Sequence, residues 1–217
     1  MENAIDWTRF SGGLSGVAGV AMLIVSFAIN TPPPSGASAA EMVAWSGQHF
    51  APGLWGAWLQ AVGPVLIVLF AFSLVHLAGA AQSLSGWMTF LGAMILMTVS
   101  LIEITFYIGA WFPDPQLMPL ISLRFIAAAQ HLYFIVAAPS LFLPLGIVIF
   151  RSRVLSRPFA YTAFLLAAVF AGLGAAFMLT LSLPGWVTAF AGVQALWWLA
   201  AAITMIIRSV HPVALRQ

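Results

Sequence analysis

Six apolar runs, each long enough to cross a lipid bilayer as a helix, leave this chain little choice of fold. They cover roughly Phe10–Ile29, Leu54–Ala80, Trp87–Phe112, Phe125–Phe150, Phe159–Leu181 and Trp186–Ile207. A spanning helix needs about 20 largely apolar residues. Composition agrees: 63% of the 217 residues are hydrophobic and 6% are charged, where a soluble domain carries about 25% charged. Too few charges remain to coat a water-facing surface. The expected fold is all-α, a polytopic bundle of six transmembrane helices forming a single domain over 1–217. Pro64, Pro139 and Pro144 lie inside the second and fourth runs and are expected to kink them.

Arginine placement orients the bundle. Arg9 precedes the first run, Arg151, Arg153 and Arg157 crowd the turn between the fourth and fifth, and Arg208 and Arg216 follow the sixth. With both termini in the cytoplasm these six lie inside and only Arg124 lies outside, as the positive-inside rule prefers. The expected location is the inner (plasma) membrane, multi-pass. Because topology accounts for the arginines, the net charge of +2 does not call for a nucleic-acid partner. The small-residue segment Ala37-Ser38-Ala39 resembles a signal cleavage site. The first apolar run exceeds the ~7–15 residues of a signal core, however, and is expected to stay as a helix.

The longest connection, Asn30–Gly53, falls on the outer side. It opens with the stiff Pro32-Pro33-Pro34 segment. Ser38 and Glu41 then form an S-x-x-E helix start, with Met42, Val43 and Trp45 following. A short amphipathic helix lying on the outer membrane surface, ending near His49 and Phe50, is the expectation.

Ionisable groups within a bilayer are costly and default to functional candidates. Glu103 is the only acidic residue deep in any apolar run. It lies eight positions before Trp111, hence about 12 Å below the outer end at 1.5 Å per residue. Similar counting puts Gln60, Gln130, His131 and Gln194 at that level in the second, fourth and sixth runs. Tyr107 is one turn from Glu103 on the same face, and Arg124 shares a face with His131. Trp55, Trp58, Trp197 and Trp198 add aromatic surface nearby. Glu103 and His131 are therefore candidate catalytic residues, with Gln60, Tyr107, Gln130, Gln194, Trp58 and Trp197 as candidate ligand contacts. Small-molecule pockets have this mix of apolar walls and a few convergent polar groups. The other reading is structural: such side chains also hydrogen-bond between helices and hold a bundle together, and tryptophans near helix ends form interfacial belts.

Several chemistries find no support. The chain has no lysine and no cysteine, so Schiff-base and thiol mechanisms are excluded. Gly13-Leu14-Ser15-Gly16 looks like the serine motif of rhomboid-type proteases, but neither the first nor the sixth run holds a histidine base; His211 lies beyond the sixth. Gly12, Gly16 and Gly19 read instead as a close-packing helix face. His76 and His131 sit at different depths, and His49 is expected in a loop, which argues against a bis-histidine haem. No zinc motif is present, and no cofactor is implied. Nor do the runs show the repeated halves of a secondary transporter.

The stretch Ser38-Ala-Ala-Glu41-Met-Val-Ala-Trp45, with Gln48-His49 and the arginine turn at 151–157, resembles a group of uncharacterised bacterial six-helix membrane proteins, which implies fold and not activity. Glu103-Ile-Thr-Phe-Tyr107 followed by Trp111-Phe-Pro113 is similar to the acidic helix segment of the integral-membrane terpene cyclases. That resemblance implies an acid at Glu103 that protonates an epoxide or alkene of an isoprenoid-type substrate, with aromatic rings stabilising the cation. The chain departs from that family in having no second acid deep in a later run; Asp114 sits in a loop. Held in hydrocarbon, a carboxylic acid is costly to ionise and keeps the proton that a general acid delivers. Two functions emerge as expectations: a site that binds or converts a hydrophobic small molecule, or a non-catalytic membrane component, an accessory subunit or lipid-binding scaffold with lipid, a complex partner or a second copy around it.

Overall fold

The computed structural model of the chain describes residues 5–30, 38–109, 118–177 and 188–210, and every regular element in them is helical. The Pro32–Pro34 segment, Trp111, Pro113, Asp114, His211 and Arg216 lie outside the described residues, as does the side chain of Arg124. Six helical stretches are long and apolar enough to cross a membrane, and they match the six apolar runs. Helices of this number, length and apolarity are what a multi-pass membrane protein carries.

Helix α1 (Trp7–Ile29) starts at Asp6, whose side chain accepts the Arg9 backbone N–H at 3.1 Å. Its glycine face is a close-packing surface. A Cβ on Gly19 would lie 2.8 Å from the Gly63 carbonyl oxygen, and one on Gly16 2.8 Å from the Ala202 Cβ. Without a hydrophobic driving force between helices in lipid, this intimacy of backbones is what holds neighbouring spans. It seats α1 between α2 (Ala39–Leu77) and α7 (Thr188–Val210). The Ser15 hydroxyl on this helix donates to the Gly12 carbonyl at 2.7 Å.

Helix α2 departs from expectation. The capping box at Ser38 and Glu41 is present, with Glu41 Oε2 accepting from the Ser38 N–H at 2.7 Å. The helix it starts is not a separate surface element, however. It continues without a break through Pro52 and Pro64 for 39 residues, about 58 Å if straight, so its first turns project past a hydrocarbon core of about 30 Å. A proline in a helix removes one hydrogen bond and clashes with one carbonyl; the helix absorbs both at Pro52. His49 accordingly sits in a helix, not a loop, stacked on Trp45 with ring centroids 5.3 Å apart. At its far end α2 stops in a Schellman motif: Gly79, at φ 63°, donates to His76 and Ala80 donates to Val75.

Helix α3 (Leu84–Gly109) packs on α2, on α4 (Met118–Leu132) and on α5 (Ala138–Ser152). At Gly92 it meets α5 so closely that a Cβ would overlap the Ser140 carbonyl. The fourth span contains a π-helical turn at Tyr133–Ala137, where the Ala138 N–H reaches back to the Tyr133 carbonyl. Pro139 explains its position, since it cannot donate to the Ile135 carbonyl. Helix α6 (Arg157–Ala176) backs this turn: a Cβ on Gly174 would lie 2.8 Å from the Ile135 Cα. The spans form a ring in chain order around an aromatic centre of Phe70, Phe142, Phe170 and Trp198, each fully buried. Trp198 stands edge-on to Phe70 at 5.8 Å and lies 5.1 Å from Phe142.

Contacts at one end fix which termini meet. The Asp6 N–H donates to the Ser209 carbonyl at 3.2 Å. Arg208 Nη1 donates to the Val154 carbonyl in the α5–α6 turn at 2.7 Å. The start of α1, the end of α7 and the α5–α6 turn therefore lie together, and Arg9, Arg151, Arg153, Arg157 and Arg208 share that end.

Candidate functional site

At the opposite half of the bundle, Glu103 on α3 meets two other helices. Gln130 of α4 donates through Nε2 to Glu103 Oε1 at 3.1 Å, and the Gln60 side chain of α2 also bears on the carboxyl. Tyr107, one turn along α3, and Tyr133, in the π turn, are both within electrostatic range of it. Tyr133 in turn donates through its hydroxyl to Gln194 Oε1 of α7 at 2.5 Å. Polar side chains from α2, α3, α4, the π turn and α7 thus occupy one level.

The local chemistry explains each position. Tyr107 comes four residues after Glu103, so it stands over the same face. The extra residue of a π turn changes the facing of the side chains beyond it and often marks functional sites; here it carries Tyr133 toward α7. Pro64 lacks an N–H and so leaves the Gln60 carbonyl without its helical donor, placing a further acceptor at the level of the Gln60 side chain. Gln60 and Gln194 are buried, Glu103, Tyr107 and Tyr133 are half-buried, and Gln130 is exposed. Helix α4 packs chiefly on α3 and the π turn, and Phe106 of α3 stacks on Phe125 of α4 with ring centroids 4.5 Å apart.

No protein-family model, curated protein or solved structure matches this chain.

Not every candidate joins the cluster. His131 is one residue from Gln130, about 100° further round the helix; its Nδ1 lies 2.8 Å from the Ala127 carbonyl, and the glutamine meets the carboxyl. Trp58 is two residues from Gln60, on the other side of α2, where it is exposed and edge-on to Trp55. Trp197 is buried in the aromatic centre, and its indole N–H donates to the Thr162 hydroxyl at 2.9 Å and to the Phe159 carbonyl at 3.2 Å. Tyr133 is the member that reading the sequence missed, although it lies three residues after Gln130. Among the described residues no three His, Asp or Glu side chains gather closely enough to hold a metal ion.

The arrangement can do two things chemically. A carboxyl with carboxamides and phenols around it can hold and hand over a proton. It can also orient a polar atom of a ligand whose remainder lies in hydrocarbon.

Proposed function

We propose that the outward half of this bundle is a small-molecule site, where a hydrophobic molecule binds or is converted against the Glu103 carboxyl. The observation that carries this reading is the convergence of Gln60, Gln130, Tyr107 and Tyr133 on one intramembrane carboxyl. An acid is an expensive way to make a structural hydrogen bond within a membrane. The reading rests on Glu103 and not on His131. In its catalytic form the protein is a cyclase or isomerase of an isoprenoid-type substrate, in line with the resemblance around Glu103. Glu103 delivers its proton to an epoxide or alkene, and the rings of Tyr107 and Tyr133 face the cation that results. Both termini lie in the cytoplasm and the membrane is the inner, plasma membrane, because that orientation gathers the arginines inside.

A second reading has its own support. Tyr133 with Gln194 and Gln130 with Glu103 are complete interhelical pairs, as a purely structural layer in an accessory subunit or lipid-binding scaffold requires. One variant separates the two. Glu103→Gln keeps an acceptor for Gln130 but has no proton to give. Apolar molecules that co-purify with the chain, and turnover of isoprenoid epoxides and alkenes, are measured beside thermal stability in detergent. Loss of ligand or turnover with stability retained supports the site. Lost folding, with no ligand in either protein, supports the structural layer.

A further inference from the structure

The arginine-rich end of the bundle carries an open cleft of ≈ 380 Å³, lined by Arg153, Leu155, Ser156, Arg157 and Arg208. Topology alone would be satisfied by arginines pointing anywhere at this end. These three instead border one concavity. No salt bridge among the described residues engages any of them, and the ion pair found there joins Arg9 and Asp6. Arg208 is anchored by its bond to the Val154 carbonyl, and Arg157 lies over the Phe150 ring at 5.6 Å, so two of the three guanidinium groups are held in place.

Two further features point the same way. Helix α6 begins at this cleft, and its N-cap Ser156 makes no side-chain capping bond. Pro158 has no N–H and the Phe159 N–H donates to the Ser156 carbonyl at 3.0 Å, so the helix end offers an anion the Arg157 N–H and the positive end of its dipole. Arg153 stands at φ 58° and ψ 23°, a left-handed conformation in which glycine or asparagine is usual. A strained residue kept at a cleft suggests function. Leu155 forms an apolar floor, fully buried.

We propose that this cleft binds a phosphate group, either the headgroup of an anionic phospholipid in the adjoining leaflet or a free phosphate. Guanidinium groups match phosphate oxygens in paired geometry, and the site lies where a headgroup sits when the apolar spans are in the membrane.

The test uses the full chain in neutral detergent, titrated with phosphatidylglycerol or phosphatidylcholine, with binding read by native mass spectrometry and by thermal shift. Inorganic phosphate is titrated separately. Phosphatidylglycerol is expected to bind and stabilise, and phosphatidylcholine is not. Arg157→Gln and Arg153→Gly each weaken phosphatidylglycerol by about tenfold or more, as loss of a charge-assisted hydrogen bond implies. Arg151→Gln, outside the cleft, changes binding little. Arg153→Gly should also raise thermal stability by relieving the left-handed strain, so reduced binding there cannot be misfolding. If inorganic phosphate gives the same arginine-dependent shift and lipid adds nothing, the source is free phosphate. Equal loss with Arg151→Gln, or no preference over phosphatidylcholine together with no response to phosphate, overturns the proposal.

Discussion

Gln130 reaches from α4 to Glu103 on α3 with a bond of 3.1 Å, and the same two helices also meet through the stacked rings of Phe106 and Phe125. Intramembrane hydrogen bonds are weaker than hydrocarbon surroundings suggest, because the unfolded chain in lipid also finds partners. A double-mutant cycle of Glu103→Leu and Gln130→Leu, each of which removes the bond, should therefore give a coupling of about 0.6 kcal/mol, and below about 2 kcal/mol. Reversible unfolding in mixed micelles measures it. A larger coupling would make the pair a principal support of the fold and not a site.

Tyr133 and Gln194 form the second bridge. Removing one partner leaves a buried polar group alone, which costs about 1–3 kcal/mol, while removing both is nearly neutral. Tyr133→Phe is expected to destabilise the chain by about that amount, and Tyr133→Phe with Gln194→Leu to recover most of it. Matched unfolding midpoints for the single and the double variant would contradict the pairing.

The glycine face of α1 predicts a sharp contrast. Gly19→Ala puts a Cβ 2.8 Å from the Gly63 backbone oxygen, and such overpacking costs about 1–3 kcal/mol. Gly172 on α6 has nothing within 4 Å, so Gly172→Ala should leave stability unchanged or raise it by up to about 1 kcal/mol. Thermal unfolding of the two variants side by side checks it.

Orientation is open to direct labelling, since the chain contains no cysteine. In intact cells Ser156→Cys should be protected from a membrane-impermeant maleimide and Gly47→Cys should react. Both positions are exposed. The reverse pattern would invert the topology proposed from the arginines.

The spans, the glycine face and the shared arginine end were legible in the sequence because each depends on run length or local residue type. Counting from helix ends also found the level at which Gln60, Glu103, Gln130 and Gln194 meet. A level is not a direction, however. Trp58 and Trp197 lie at suitable depths but turn elsewhere, one outward and one into the aromatic centre, and His131 is a residue out of step with Gln130. Tyr133 was hidden for a different reason. Its aim depends on the π turn, and that turn depends on Pro139 together with a contact from Gly174, some 40 residues away. The continuity of α2 was equally obscure. The outer helix was expected to end near His49 and Phe50, yet the single hydrogen bond missing at Pro52 is not enough to end a helix of this length.

The most direct test is an experimental density map of the chain in native lipid. Non-protein density should lie within hydrogen-bonding reach of the Glu103 carboxyl, with its polar end between Gln60 and Gln130 and its apolar remainder running outward. A map in which neighbouring side chains close over that carboxyl, with no space for a ligand, would contradict the account.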